Sequence, residues 1–137
     1  MEKHQELLIA LRKVIRAIGL HSKQLNKTSG LTSPQLLIML EIDKASGINS
    51  SQVAKNVNLS PATVTNILDR LENKDLVSRV RDTKDKRKVG LFLTESGKAL
   101  LVKAPQALQE HFIDNFGNLA EWEQSQLLSS VERLADM

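Results

Sequence analysis

Residues 76–93 limit the fold more than any other stretch. LVSRVR (76–81) and VGLFL (89–93) are rich in β-branched and large apolar residues and flank the polar run DTKDKRK (82–88). Such a pattern reads as two short strands around a turn. Elsewhere the apolar spacing is helical. Two strands alone are at best marginally stable in water, so this hairpin must lean on helices. The expected fold class is therefore mainly α.

Residues 2–27 read as one long helix, with Leu7, Leu8, Leu11, Val14, Ile15 and Ile18 in a continuous stripe. Gly30 ends it, and Thr32 or Ser33 caps a second helix with Pro34 in its first turn. The phrase LLIML (36–40) is apolar on nearly every side and belongs in a core, and Gly47 stops that helix. Asn49 or Ser50 opens a short third helix carrying Val53, Ala54 and Val57. After a tight turn at Asn58-Leu59, Ser60 is a good N-cap with Pro61 at the first helical position. This fourth helix reaches about Asn73, with Val64, Ile67, Leu68 and Leu71 on its apolar face. Beyond the hairpin, Thr94 caps a long helix expected to reach Phe116 with a kink at Pro105. Gly117-Asn118 breaks it, and a last helix carries Trp122, Leu127, Leu128, Val131 and Leu134.

Two short helices, a tight turn and a hairpin make a winged helix-turn-helix. The 137 residues suit one domain: a winged lobe over 33–100, with 1–30 and 101–137 as dimerisation helices. The small central core cannot cover the terminal stripes. Leu7, Leu8, Leu11, Val14 and Ile15, with Leu127, Leu128, Val131 and Leu134, are thus expected to bury in a homodimer.

Charge is local. Arg79, Arg81, Lys84, Lys86, Arg87 and Lys88 against Asp82 and Asp85 leave +4 in ten residues, more than the +3 of the whole chain. A basic patch on a balanced body points to a polyanion met at one place. The exposed side of the fourth helix offers Ser60, Ala62, Thr63, Thr65, Asn66 and Arg70, mostly small or hydrogen-bonding groups suited to base edges in a major groove. Ser50 at the start of the third helix joins this DNA-facing set. Arg81, Lys84, Lys86, Arg87 and Lys88 suit a minor groove, where arginine gains from the negative potential of a narrow A·T-rich stretch. Asp85 sits two residues before Arg87, placed to hold its guanidinium or cap loop N–H groups and so fix the loop.

Other chemistry finds little support. With no cysteine there is no thiolate nucleophile, disulfide or thiol sensor. There is no P-loop, dinucleotide fingerprint or G-x-S-x-G, so no enzyme and no cofactor are expected. His4, His21 and His111 lack a second histidine at i+3 or i+4, which disfavours zinc and leaves only a site assembled from His21, His111 and distant carboxylates. No apolar run approaches the roughly 18 residues of a membrane span, and the charged N-terminus is no secretory signal, so a cytoplasmic place is expected. The rival reading is a winged helix that binds protein instead of DNA.

Asp85-Lys86-Arg87, five residues, then Leu93-Thr94-Glu95-Ser96-Gly97 fits D-x-R-x5-L-T-x-x-G. With SSQVAKNVNLSPATVTNILDRLENKDLVSRVRD before it, the chain resembles the multiple-antibiotic-resistance regulator (MarR) family of bacterial transcription factors, strongly over about 33–100. The resemblance implies a homodimer on a pseudo-palindromic operator, usually a repressor. It puts the helix after Ser60 in the major groove and Arg87 in the minor groove, steadied by Asp85. It also implies a small-molecule effector between the two lobes, near the first helix, LLIML and the Pro105 segment. The few aromatics, Phe92, Phe112, Phe116 and Trp122, argue mildly against a phenolic one and read more simply as core or dimer packing. The N-terminal phrase KHQELLIALRKVIRAIGLHSKQLNKTSGLTSPQL is similar to that of MarR-type repressors of compatible-solute genes such as ectoine genes, which implies an osmotic or salt signal.

Overall fold

A computed structural model describes residues 1–104 and 106–137, with side chains at 1–104 and 112–137. In order come α1 (Lys3–Ser29), α2 (Ser33–Lys44), α3 (Ser50–Val57), α4 (Pro61–Asn73), β1 (Val77–Arg81), β2 (Val89–Leu93), α5 (Glu95–Lys103), α6 (Gln106–Gly117) and α7 (Glu121–Ala135). The chain divides into two compact units, Met1–Ala104 and Pro105–Met137.

In the first unit the core gathers Ile38, Met39 and Ile42 of α2, Val53 of α3, Val64, Leu68 and Leu71 of α4, and Val77 and Leu91 of the hairpin. Of LLIML, Ile38 and Met39 are buried but Leu37 is 46% exposed, so this helix is buried on one side only. Thr32 caps α2: its hydroxyl accepts from the Gln35 N–H at 3.3 Å, while the Gln35 side chain accepts from the Thr32 N–H at 3.0 Å. Asn49 rather than Ser50 caps α3, its Oδ1 accepting from the Gln52 N–H at 2.8 Å. Asn58 takes the left-handed conformation (φ 55°) that turns α3 into α4.

The hairpin is antiparallel, with Val77 opposite Leu93 and Arg81 opposite Val89. Its outer edge does not stay open. The Gly47 N–H donates to the Leu91 carbonyl at 2.8 Å, and the Leu91 N–H donates to the Ile48 carbonyl at 2.9 Å. Gly47 therefore does more than stop a helix. α2 already ends at Lys44, and Gly47 lies beyond it at φ +91°, letting the connector lie against β2. Gly90 is squeezed from the other side: a Cβ there would meet the Gly47 carbonyl oxygen at 3.2 Å.

The expected long helix through Pro105 does not form. α5 stops at Lys103, and Ala104 is extended (φ −54°, ψ 144°). A proline disfavours the helical conformation in the residue before it, so the helix ends there instead of bending. Pro105 lies outside the described residues.

α1 has 27 residues, about 40 Å of helix, yet buries only Leu25. In the second unit, the Gln124 side-chain amide donates to the Phe116 and Leu119 carbonyls at 3.0 and 3.1 Å, closing the α6–α7 turn. α7 has no buried residue. Phe112 and Phe116 stack at 6.0 Å between centroids. Phe112 and Trp122 are 66% and 68% exposed, so neither is core within one chain.

Candidate nucleic-acid interface

Local chemistry builds the exposed face of α4. The Ser60 hydroxyl accepts from the Thr63 N–H at 3.2 Å and lies 2.8 Å from the Thr63 hydroxyl, fixing the first turn with Pro61 inside it. Val64, Leu68 and Leu71 bury inward. The helical period then turns Ala62, Thr63, Thr65, Asn66 and Arg70 outward, and all are exposed.

The loop between β1 and β2 is braced from within. The Asp82 N–H donates to the Lys88 carbonyl at 2.8 Å, and the Lys88 N–H to the Asp85 carbonyl at 2.9 Å. Two aspartates fold back onto their own backbone: Asp82 Oδ1 accepts from the Lys84 N–H at 2.8 Å, and Asp85 Oδ1 from the Arg87 N–H at 3.1 Å. Asp85 Oδ1 also meets Arg87 Nε at 3.4 Å, although the Arg87 side chain is 94% exposed. Asp85 thus serves in both ways expected of it. Arg81 is exposed but committed to the loop, its guanidinium donating to the Lys86 carbonyl at 2.8 Å. Lys84, Lys86 and Lys88 are exposed, with no ion-pair partner among the described residues.

Two clefts separate this wing from the helices. One of about 340 Å³ is lined by Ser50, Thr65, Arg79, Arg81 and Val89. Another of about 780 Å³ is lined by Asn49, Ser50, Ser51, Val80, Arg87, Lys88 and Phe92. Ser50 borders both, which joins the start of α3 to α4 and to the wing. Asn49, Ser51 and Arg79 were absent from the DNA-facing set read from sequence, where Asn49 entered only as a cap and Arg79 only in the charge count. Their place depends on the docking of β2 against the α2–α3 connector, which no local pattern announces.

The second half of the spaced motif holds the wing to the body. The Thr94 hydroxyl accepts from the Gly97 N–H at 3.0 Å and donates to the Asp75 carbonyl at 2.6 Å. The Thr94 N–H donates to the Leu76 carbonyl at 3.1 Å. Gly97 is buried, and a Cβ there would overlap the Leu76 carbonyl oxygen. The start of α5 is thereby clamped onto the joint between α4 and β1.

Comparison with known proteins bears on this arrangement. The MarR family matches residues 31–89. The HTH-type transcriptional regulator SarZ of Staphylococcus aureus (strain USA300) is 32% identical over 105 residues, 77% of this chain and 70% of that protein. The chain belongs to the MarR family. The HTH-type transcriptional repressor MdtR of Bacillus subtilis (strain 168) is 29% identical over 92 residues, 67% of this chain; the match spans 59% of MdtR. Among solved structures, a MepR-like protein complexed with pseudoligands is 30% identical, with a TM-score of 0.74 over 97% of this chain and 94% of that one. As a MarR-family winged helix the chain is a DNA-binding transcriptional regulator, which sets aside the protein-binding alternative.

Among the described residues no group of three His, Asp or Glu side chains could hold a metal ion. His111 and Pro105, which the zinc and effector readings involve, lie outside the described side chains. No described helix is long and apolar enough to cross a membrane.

Proposed function

We propose that this MarR-family chain is a cytoplasmic homodimeric repressor without catalytic activity. It binds a pseudo-palindromic operator with α4 in the major groove and the wing in the minor groove. The observation that carries this reading is the pairing of an exposed Ala62-Thr63-Thr65-Asn66 face with a wing loop whose one nearly fully exposed guanidinium is held by Asp85. Asn66 is suited to two-point contact with adenine, and the threonine methyls to thymine methyls. Ser50, Ser60, Arg70, Lys84, Lys86 and Lys88 meet the backbone, where charge sets affinity without reading sequence. Arg81 acts one step back, by shaping the loop.

The test is fluorescence anisotropy with duplexes selected from a random pool by the wild-type chain, against shuffled controls at several salt concentrations. One dimer per site, with half-site centres about 10 base pairs apart, is the expected result. Equal, weak binding to every duplex would end the operator reading.

Dimerisation rests on unpartnered apolar faces. Leu7, Leu8, Val14 and Ile15 on α1 are 47–66% exposed, and Leu127, Leu128 and Val131 on α7 are 48–60% exposed. Leu11 and Leu134 in the same stripes are partly buried. Helices in proteins gain most of their stability from packing an apolar face, so these stripes call for a partner. Leu128→Glu or Leu11→Glu is expected to convert the dimer to monomer or unfolded chain in sedimentation-velocity experiments. A well-folded wild-type monomer at micromolar concentration would sink the dimer.

The pseudoligands of the MepR-like relative support an effector site in this chain as well, its ligand being a small molecule or an osmotic signal. Operator affinity that changes with osmolyte beyond ordinary counterion release is the sign of the osmotic kind.

A further inference from the structure

We infer that Arg79 is a positioning residue, which sets the wing's reach by clamping β1 to the outer face of α4. The inference rests on the DNA-binding reading above. On β1, Val77, Arg79 and Arg81 share one face, since side chains alternate along a strand. Val77 enters the core. Arg79 lies at the surface, but its side chain is 30% exposed against 94% for Arg87, because it is paired with α4. Its Nη2 lies 2.8 Å from Asp69 Oδ1, and its Nε lies 3.9 Å from Glu72 Oε2. Arg81, the next residue on that face, holds the Lys86 carbonyl at 2.8 Å. The chain of contacts therefore runs from α4 through Arg79 and the strand to Arg81 and the loop that carries Arg87.

The position of Asp69 gives the pair a second effect. It lies three residues beyond Asn66 on α4, so both occupy one helical face. An unpaired carboxylate there would repel the phosphates beside the groove that Asn66 enters. Arg79 offsets that charge from within the protein. One guanidinium thus neutralises the acid at the end of the reading face and ties that face to the wing.

Simple charge counting and the clamp disagree in sign on one substitution. Asp69→Asn removes a negative charge from a DNA-facing helix, and electrostatics alone makes binding tighter. If Asp69 instead anchors Arg79, its loss frees the wing and weakens binding to the selected duplex, by about tenfold, while non-specific binding holds or rises. Arg79→Gln is expected to cause a similar loss with the slope of log K against log salt unchanged. A direct phosphate contact would lower that slope by about 1. The swapped pair, Asp69→Arg with Arg79→Asp, is expected to recover part of the specific affinity. Melting curves on the same samples verify that the variants fold; a variant that does not fold leaves the decision to the swapped pair. Asp69→Asn binding the selected duplex as well as wild type or better, or a reduced slope in Arg79→Gln, overturns the clamp and leaves the operator reading intact. A wild-type chain that selects no duplex removes the operator reading and this inference with it.

Discussion

Arg87→Ala is expected to weaken binding to the selected duplex by about 10- to 100-fold, some 1–3 kcal/mol, with the dimer and its melting temperature unchanged. The side chain is 94% exposed, and among the described residues its one ion-pair partner is Asp85. Removing it opens no cavity and orphans no buried group, so the fold has little to lose. An arginine whose backbone N–H and Nε both meet one carboxylate oxygen has surrendered part of its freedom before DNA arrives. Less entropy is then lost on insertion into the groove. Anisotropy on wild type and variant at one salt concentration decides it. Equal affinities would take the wing tip out of the interface, leaving Lys84, Lys86 and Lys88 as general counter-charge.

Gly97→Ala is expected to destabilise the protein by about 2 kcal/mol or more, the range of an overpacked core site. For a chain of this size that is a fall in Tm of roughly 6–10 °C. Helix propensity alone has the opposite sign, since alanine is favoured over glycine inside a helix by about 1 kcal/mol. Space settles the matter. The new methyl would land on the Leu76 carbonyl oxygen, and that oxygen is already held in place by the Thr94 N–H at 3.1 Å. Relief would require α5 to lift off the joint between α4 and β1, breaking the Thr94 bonds to Gly97 and Asp75. Thermal unfolding followed by circular dichroism is sufficient. An unchanged or higher Tm would show that α5 yields without cost and that the glycine is not there for space.

The two substitutions separate the halves of one sequence motif. Its D-x-R half shapes the loop tip, and its L-T-x-x-G half clamps the base of the wing. Three residues of loop chemistry carry the first, whereas the second depends on Asp75 and Leu76, some twenty residues upstream.

That contrast marks how far sequence reading reaches here. The caps at Ser60 and Thr94, the end of α4 at Asn73 and the bonds from Asp85 to Arg87 all follow from groups within three or four residues of one another. Interactions that short are dictated by backbone geometry whatever the rest of the chain does. The wing's basic run was equally plain, but not the duties of its members. Arg79 and Arg81 look like further cations for DNA until α4 engages the first through Asp69 and the Lys86 carbonyl engages the second. Gly47 looks like a helix stop until β2 pairs beside it, whereas the break at Ala104 has a local cause in the proline that follows it. Local order along the chain was thus legible from hydrogen-bonding and steric preferences a few residues wide. Which charges are spent inside the molecule depended on contacts across the hairpin and from β1 to α4, five and ten residues apart in sequence, and those exist only once these elements have come together.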